Sequence, residues 1–374
     1  MLKRARGALL LVIYAGVAMI AGELGARIDD RLFEGIELTA NPTFSGLFFN
    51  FSDGIRRGVP HARWKKVEFN NLGMRGPDLA VTPKPGCTRW LFLGASETFG
   101  EPGIAGADYP SHLRARIAAQ PDAACVEIAN SSSPGLSVRG VTEQFDAYLH
   151  RLHAHVVFVY PDTQVYLTPM RPRRTPSPQD AREPPGALPV PHSGGTRGLD
   201  IAQLGESSRL LGRLRDSAEV PEPIQRLRTQ RWIDSALAQH GTDWPFTSVP
   251  REPIEVLADD LAYLVQRIRA SGATPVLIAH AIRSSNPPRQ ADFDDLFAAR
   301  TYVPRAPPEV FVGFEYAAAE RTRRVAKQLG VQLIDAAAHL SGRRELFIDE
   351  VHFTPAGNEA MAALIDRVMR PARR

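Results

Sequence analysis

The stretch that decides the fold is Trp90-Leu91-Phe92-Leu93-Gly94-Ala95-Ser96-Glu97-Thr98-Phe99-Gly100. An apolar run leads directly into a serine between two glycines, which is typical of a buried strand followed by a sharp turn. In open parallel sheets such turns lie at the carboxyl ends of the strands, where ligands bind. The pattern therefore predicts a strand over about 89–94 with Ser96 at a ligand-binding edge. Taken alone, it also fits an ordinary turn that ends in a helix N-cap serine.

From this stretch to the C-terminus, predicted strands alternate with predicted helices. The β-branched run Val156-Val157-Phe158-Val159 is typical of a strand buried on both faces of a parallel sheet. This alternation predicts an α/β fold: a three-layer α/β/α sandwich around a five-stranded parallel sheet of the flavodoxin-like kind. The other strands are expected at 126–129, 156–160, 275–279 and 331–334, and the helices near 108–120, 137–153, 253–271, 309–329 and 355–369.

The predicted α/β domain, residues 86–374, carries additions at its start and in its middle. Residues 1–26 are expected to form a signal anchor, and residues 27–85 a linker and an N-terminal extension that packs on the main domain. Eight prolines fall in 169–191 and a more helical stretch follows, so an insertion is expected at about 169–250. A disordered or loosely packed excursion is the alternative for this insertion.

The N-terminus has the composition of a membrane anchor. Lys3, Arg4 and Arg6 precede an uncharged stretch from Gly7 to Gly22. Sixteen residues make a helix of about 24 Å, close to the thickness of a bilayer core, and flanking residues extend it. A cleaved signal peptide and a buried core helix are the alternatives. Because basic residues stay in the cytoplasm, the signal anchor predicts a bacterial inner-membrane protein with one span and a periplasmic domain, and a cleaved signal peptide would also place most of the chain outside the cytoplasm.

The overall composition narrows the functional class. Hydrophobic residues make up 44% of the 374 residues and charged residues 23%, which excludes a disordered or fibrous chain. The formal net charge is only +4, so no nucleic-acid partner is indicated. The sequence contains neither a metal-ligand cluster nor a phosphate-binding loop, and no cofactor is predicted.

The sequence contains two cysteines, Cys87 and Cys125, and each stands just before a predicted strand. If these strands are parallel neighbours, the two side chains lie side by side at the strand starts, within bridging distance. The compartment implied by the N-terminus favours oxidation. We therefore expect a Cys87–Cys125 disulfide, with two buried free thiols as the alternative.

A second chemical signal lies near the C-terminus, in Asp349-Glu350-Val351-His352-Phe353-Thr354-Pro355. An aspartate three residues before a histidine allows the carboxylate to accept a hydrogen bond from one imidazole nitrogen. The other nitrogen is then free to take a proton from a serine hydroxyl. Together with Ser96 at a strand end, this pattern predicts a serine–histidine–aspartate site.

These blocks resemble the SGNH, or GDSL-type, hydrolase family in its membrane-anchored or exported bacterial branch. The stretch 94–100 is similar to the family's G-D-S-x-T-x-G block, with Ala95 in place of the aspartate. Asn130-Ser131-Ser132-Ser133-Pro134-Gly135 resembles the block whose glycine donates a backbone N–H to the oxyanion. Asp349 and His352 match the terminal D-x-x-H, and residues 70–76 resemble the lead-in of anchored members.

One block departs from the family. After the third strand the family has an asparagine whose side chain donates to the oxyanion, whereas this chain has Tyr160-Pro161-Asp162-Thr163-Gln164. The alignment places Asp162 on the asparagine, and a one-residue gap would place Thr163 there. An ionised aspartate would repel an oxyanion, whereas a protonated one donates to it. Protonation requires a strongly raised pKa of the kind that apolar burial produces.

The resemblance implies acyl transfer through a covalent intermediate. Ser96 would attack an ester carbonyl and His352, oriented by Asp349, would take its proton. The oxyanion would be held by the N–H groups of Ser96 and Gly135 and, if protonated, by Asp162. We expect a serine esterase acting on an acyl ester, with an ester of an extracytoplasmic glycan as a candidate substrate. The alternatives are an O-acyltransferase of an envelope polysaccharide with the same site and a degenerate, non-catalytic scaffold in an envelope assembly.

Other polar and aromatic residues have weaker signals. His280, at the end of the fourth strand, is a candidate substrate contact, but a packed or solvent-touching residue is the favoured interpretation. Asp335 is interpreted as structural. Trp232 and Trp244 are candidates for stacking on sugars, but core packing is the favoured interpretation. The arginines at 171–174 are interpreted as a solvated basic loop.

Overall fold

The fold is described from a computed structural model of the chain. The structure describes residues 2–33, 35–40, 42–50, 54–100, 108–120, 125–170, 208–217 and 222–370. The strands in chain order are β1 (Phe48–Asn50), β2 (Arg56–Gly58), β3 (Arg63–Trp64), β4 (Val67–Glu68), β5 (Thr88–Gly94), β6 (Val126–Asn130), β7 (Val156–Tyr160), β8 (Thr274–Ile278) and β9 (Gln332–Ile334).

The α-helices follow the same order. They are α1 (Leu2–Phe33), α2 (Ser96–Phe99), α3 (Tyr109–Ala118), α4 (Val138–Ala147), α5 (Arg209–Ser217), α6 (Glu222–His240), α7 (Arg251–Ala270), α8 (Phe293–Ala299), α9 (Pro308–Leu329), α10 (Ala336–Leu340) and α11 (Pro355–Met369).

The central sheet has five parallel strands in the order β6-β5-β7-β8-β9. The predicted α/β class and the five-stranded parallel sheet are confirmed, with strand ends within two residues of those expected. β5 lies between β6 and β7, so the chain crosses from one side of it to the other. This reversal of winding opens a crevice at the carboxyl end of β5, directly at Ser96.

Both faces of the sheet are buried, which explains why its strands read as continuous apolar runs. On one face the rings of Phe92 and Phe158 stack with centroids 4.4 Å apart, and α3 and α11 pack over them. On the other face Leu91, Leu93 and Val157 pack against α4 and α7. The rigid sandwich holds the strand ends, and hence the turns that follow them, in fixed positions.

The N-terminal helix α1 is longer than the predicted anchor, because it continues to Phe33 rather than ending near residue 26. Its stretch Leu10–Phe33 has a mean hydropathy of 1.6 and only 6% of its most apolar window is buried, so by length and composition it is able to cross a membrane. Glu23 accepts hydrogen bonds from the backbone N–H groups of Arg209 and Leu210 at the start of α5. The N-terminal helix therefore contacts the predicted insertion.

Residues 54–79 pack against the turn that follows β5. Arg75 donates through its guanidinium to the carbonyl of Phe99 and forms an ion pair with Asp108 at 3.4 Å. Its backbone N–H donates to the carbonyl of Asn130 at 3.1 Å. The lead-in stretch 70–76 thus joins two of the blocks singled out in the sequence.

Two other sequence predictions concern covalent and helical structure. Cys87 and Cys125 form the predicted disulfide beside the first residues of β5 and β6. Helices α5 and α6 lie in the part of the predicted insertion that the sequence indicates as more helical. The proline-rich part from 171 onward lies outside the described residues. The arginines at 171–174 lie there too.

Candidate active site

Ser96 is the first residue of the short helix α2, two positions after β5 ends. The glycine before this turn is required by space: a Cβ on Gly94 would lie 2.3 Å from Thr98 Oγ1 and 2.9 Å from the Tyr160 carbonyl oxygen. The turn is held from below by Asn130, whose Nδ2 donates to the Thr98 carbonyl at 2.9 Å. Ser96 itself is only half-buried, so its hydroxyl is accessible.

His352 and Asp349 form the second part of the site. The His352 Nδ1 lies 3.0 and 2.8 Å from the two Asp349 carboxylate oxygens. A carboxylate only accepts hydrogen bonds, so Nδ1 carries the hydrogen and Nε2 is left for another partner. Asp349 also accepts from the backbone N–H groups of Val351 and His352. These bonds fix the carboxylate in the loop that precedes α11.

The charges of this pair are set by mutual contact. Burial opposes charge on the imidazole, but the hydrogen bond and the charge of Asp349 outweigh it and raise the pKa of His352 to about 9. Burial also disfavours the Asp349 carboxylate, but the hydrogen bond from His352 holds the pKa of Asp349 below its usual range. The resting pair at neutral pH is therefore an imidazolium beside a carboxylate.

Gly135 lies in the loop after β6, at the end of the stretch 130–135. Its φ of +77° is in the left-handed region, which explains the glycine. The loop before it is tied to the sheet and to itself. The Ser133 N–H donates to the Gly94 carbonyl at 3.2 Å, and the Ser132 hydroxyl donates to Asn130 Oδ1 at 2.6 Å.

Asp162, after β7, is buried: only 3% of its surface is exposed. Burial, followed by the negative charge of Glu97, raises the pKa of Asp162 well above the usual range of an aspartate. The raised pKa favours the neutral acid over the carboxylate at this position. Among the residues that the structure describes, Oδ1 of this carboxyl group has no hydrogen-bond partner.

All five residues that the sequence singled out line one cavity of about 1000 Å³. Ser96, Gly135, Asp162, Asp349 and His352 contribute to its wall. They come from four different loops, each placed by the carboxyl end of a strand or by the start of α11. The opposite wall is made by α6 of the insertion and by residues of α8 and the loop after it. The structure thus brings the predicted residues together.

The remaining candidates have mixed outcomes. His280 is packed, as interpreted, with 2% of its surface exposed, and Asp335 is structural: it forms an ion pair with Arg323 at 2.8 Å. Trp244 packs on His240 with ring centroids 4.9 Å apart. Trp232 contradicts the favoured interpretation, because it lines the cavity with 49% of its surface exposed. The helix α6 presents it to the cavity instead of the core.

Two carboxylates near the site were not predicted. Glu97 follows Ser96 directly and Glu315 lies on α9, and each has 1% of its surface exposed. A signal existed for Glu315, which stands in an otherwise apolar stretch, whereas Glu97 lies between Ser96 and Thr98 and gave no such signal. Their partner His280 is distant in sequence, so the contact itself could not be read from the chain. In the described part of the chain, no group of His, Cys, Asp and Glu side chains has the arrangement of a metal site.

No protein-family model matches this sequence, and no curated protein matches it either. Among solved structures, it is similar to a variant of an acetyl xylan esterase from Geobacillus stearothermophilus, with 12% identity and a TM-score of 0.41 over 77% of this chain and 97% of that one. It is also similar to an alpha/beta hydrolase enzyme from the metagenome of Lake Arreo, with 14% identity and a TM-score of 0.40 over 75% and 94%.

A third similar structure is a GDSL-like lipase from Parabacteroides merdae, with 12% identity and a TM-score of 0.38 over 75% of this chain and 94% of that one. The fold and the site of this chain define an α/β/α-sandwich protein with a serine, a histidine and an aspartate around one cavity at the carboxyl edge of the sheet.

Proposed function

We propose that this chain is a serine esterase that hydrolyses acyl esters through an acyl intermediate on Ser96. The observation that carries the proposal is that Ser96, the His352–Asp349 pair and Asp162 line the same cavity. A nucleophile, a base held by a third group, and donors for an oxyanion are the parts that acyl transfer requires.

In the proposed reaction, the Ser96 oxygen attacks the ester carbonyl carbon while His352 Nε2 takes the hydroxyl proton. The carbonyl oxygen becomes an oxyanion, which accepts hydrogen bonds from the N–H groups of Ser96 and Gly135 and from the Asp162 carboxyl group. The C–O bond to the alcohol then breaks, and His352 returns the proton to the leaving alkoxide. Water attacks the acyl-serine in the same way and releases the carboxylic acid.

The charge state of His352 sets a condition on this reaction. His352 accepts the serine proton only when it is neutral, and its pKa is raised to about 9. The rate constant kcat/KM should therefore rise with pH up to about 9, because the neutral fraction of His352 increases. Asp162 must meanwhile stay protonated.

A glycan is the substrate class that the outer part of the cavity favours. Trp232 and Tyr302 line the cavity with 49% and 76% of their surfaces exposed, and exposed aromatic rings at a cavity wall stack on sugar rings. Gln225, Thr229 and Asp295 supply polar groups on the same wall.

The apolar helix α1 would hold this site beside a membrane, with Lys3, Arg4 and Arg6 on the cytoplasmic side.

The test is ester hydrolysis by the full chain in detergent. Wild type should hydrolyse a chromogenic acetyl ester, and Ser96→Ala should lower kcat by about 10⁴-fold or more. Ser133→Ala is the control, because the hydroxyl of this serine is buried in the neighbouring loop and the proposed reaction does not use it. Equal rates in wild type and Ser96→Ala would refute the esterase assignment and favour the non-catalytic scaffold. Acyl transfer from the donor ester to added glycan, faster than hydrolysis, would instead indicate the O-acyltransferase.

A further inference from the structure

A cluster of three ionisable side chains lies buried behind the cavity wall. His280 stands between Glu97 and Glu315: its Nδ1 is 2.9 Å from Glu315 Oε2 and its Nε2 is 3.5 Å from Glu97 Oε1. None of the three exposes more than 2% of its surface. The ring of Tyr160 stacks on the imidazole with centroids 5.0 Å apart. The proposed reaction uses none of these carboxylates or this histidine.

The cluster is connected to both halves of the proposed site. Glu97 is the residue after Ser96, and Thr163 is the residue after Asp162. The Thr163 hydroxyl donates to Glu315 Oε2 and lies 3.3 Å from His280 Nδ1. The cluster therefore touches the turn that holds the nucleophile and the turn that holds the buried acid.

The polar atoms in this region are incompletely paired. Within the described ranges of the chain, Asp162 Oδ1, Glu97 Oε2 and Glu315 Oε1 make no hydrogen bond, and the 3.5 Å contact between His280 Nε2 and Glu97 Oε1 is longer than an ordinary hydrogen bond. Buried polar atoms without full partners are costly, so their concentration at one place indicates a function other than stability. Their charges act on one another in a buried region.

The charges in the cluster do not cancel. Burial opposes charge on His280, but the two carboxylates outweigh it and raise the pKa of this imidazole to about 10. Burial likewise opposes the Glu97 carboxylate, but His280 holds the pKa of Glu97 below its usual value. Glu315 accepts from both Thr163 and His280, as a carboxylate does. Two carboxylates and one imidazolium leave one net negative charge beside Asp162.

The other titratable groups that face Asp162 do not reverse this charge. Tyr166, on the turn after β7, is neutral because burial raises its pKa well above the usual value. His352, on the cavity side, is positive at rest and becomes neutral when it is ready to accept a proton. In that reactive state, His352 no longer offsets the negative charge of Glu97, which together with burial raises the pKa of Asp162. A second negative charge on Asp162 would then be disfavoured.

We propose that Glu97, His280 and Glu315 are positioning residues that keep the proton on Asp162, so that its carboxyl group donates a hydrogen bond to the oxyanion of the substrate. This inference rests on the proposed esterase function. No proton is transferred from Asp162 in the reaction: the O–H bond remains and the hydrogen bond forms and breaks with the oxyanion. An amide side chain would donate this hydrogen bond at every pH, whereas an aspartic acid donates it only while protonated. The cluster therefore allows an aspartic acid to act as the oxyanion donor.

The experiment measures kcat against pH for four forms of the full chain: wild type, Glu97→Gln, Asp162→Asn and the double variant. Glu97→Gln removes one negative charge, so Asp162 should lose its proton at lower pH and the alkaline limb should move down by about one pH unit or more. Asp162→Asn donates at every pH, so its profile should have no alkaline limb. The double variant should have none either.

The acid limb provides an internal comparison. Glu97 also contributes to the raised pKa of His352, so Glu97→Gln should move the acid limb to lower pH in both backgrounds. Asp162 also contributes to the raised pKa of His352, so the acid limbs are compared within each background, and the alkaline limb is the one assigned to loss of the Asp162 proton. Glu127→Gln, which changes a buried carboxylate paired with Arg89 at the far end of the sheet, is the matched control and should leave both limbs in place. An alkaline limb that Glu97→Gln does not move, or that persists in Asp162→Asn, would overturn the proposal.

Infrared spectroscopy gives a readout that needs no turnover. The wild-type minus Asp162→Asn difference spectrum at neutral pH should contain the C=O band of a protonated carboxyl group. As the pH is raised, this band should vanish at a lower pH in Glu97→Gln than in wild type. A chain with the band but without ester hydrolysis would refute the esterase and with it the oxyanion role. A chain that hydrolyses esters but lacks the band would refute this inference alone. If Glu97→Gln does not fold, Glu315→Gln is the second variant, because it removes a carboxylate of the same cluster from α9. It should also lower the pH at which the band vanishes.

Discussion

Two histidine–carboxylate pairs lie close to Ser96, and they differ in their access to solvent. His352 exposes 34% of its side chain and its partner Asp349 exposes 57%, whereas His280, Glu97 and Glu315 are buried. Both histidines have raised pKa values, about 9 and about 10. In the proposed reaction the first pair exchanges a proton with the substrate, whereas the second is buried and does not. We therefore propose a reactive role for the pair at the surface of the cavity and an electrostatic role for the cluster below it.

Removal of the exposed histidine should have the largest effect on activity. His352→Ala should lower kcat for ester hydrolysis by about 10⁴–10⁶-fold, because no other group takes the Ser96 proton. The free energy of unfolding of His352→Ala should differ from that of wild type by less than about 1 kcal/mol, since a half-exposed ion pair contributes little to stability. Steady-state kinetics and urea unfolding on the same preparation check both numbers. A loss of activity that follows a loss of folded protein would contradict this assignment.

Asp349→Asn tests the partner in the same pair. The amide no longer favours the tautomer with hydrogen on Nδ1, so kcat should fall by about 10⁴-fold at neutral pH. The pKa of His352 should also fall, because the carboxylate no longer stabilises the imidazolium. The acid limb of the pH–rate profile should therefore move to lower pH. An acid limb that stays in place would show that another group determines it.

His280→Leu should separate the two pairs most clearly in stability. The substitution leaves two buried carboxylates without their cation, so the free energy of unfolding should fall by about 3–5 kcal/mol. The matched change His352→Leu should cost less than about 1 kcal/mol. Urea unfolding of both variants at neutral pH measures the difference. Equal losses in the two variants would mean that burial does not distinguish the pairs.

Glu350→Gln is expected to have the smallest effect and concerns the neighbour of Asp349. Burial raises the pKa of Glu350 from 4.5 to about 8, although Ser284 donates to it. The unfolded chain releases this proton at lower pH than the folded chain, so wild type should lose stability as pH rises from about 4.5 to about 8. Glu350→Gln should reduce this loss by about 1 kcal/mol or more. Unfolding midpoints at several pH values test this, and parallel curves for the two proteins would refute it.

The sheet and the exposed pair are predictable from sequence because both depend on local patterns. Apolar runs define the five strands, and Asp349 and His352 lie within one turn of chain. Ser96 is predictable since its turn follows directly from β5. Each of these features needs only the geometry of a few consecutive residues together with the general rule that parallel strands end at one edge.

The buried cluster was not predictable, because its contacts join distant parts of the chain. Glu315 meets Thr163 across 152 positions and His280 across 35. The side chain of Trp232 was misplaced for a related reason: α6 lies against α8 and not over the sheet, so its aromatic ring faces the cavity. α1 continues to Phe33, and Glu23 within it accepts hydrogen bonds from the start of α5. Tertiary contacts decide where the cluster and the ring of Trp232 lie.

The most direct test of the proposed serine esterase is covalent labelling of Ser96 by a fluorophosphonate, followed by mass spectrometry of the labelled peptide. We expect one adduct on Ser96, a labelling rate that rises with pH up to about 9 as His352 loses its proton, and strongly reduced labelling in His352→Ala. No adduct on Ser96, or an adduct whose rate is the same in wild type and His352→Ala, would contradict it.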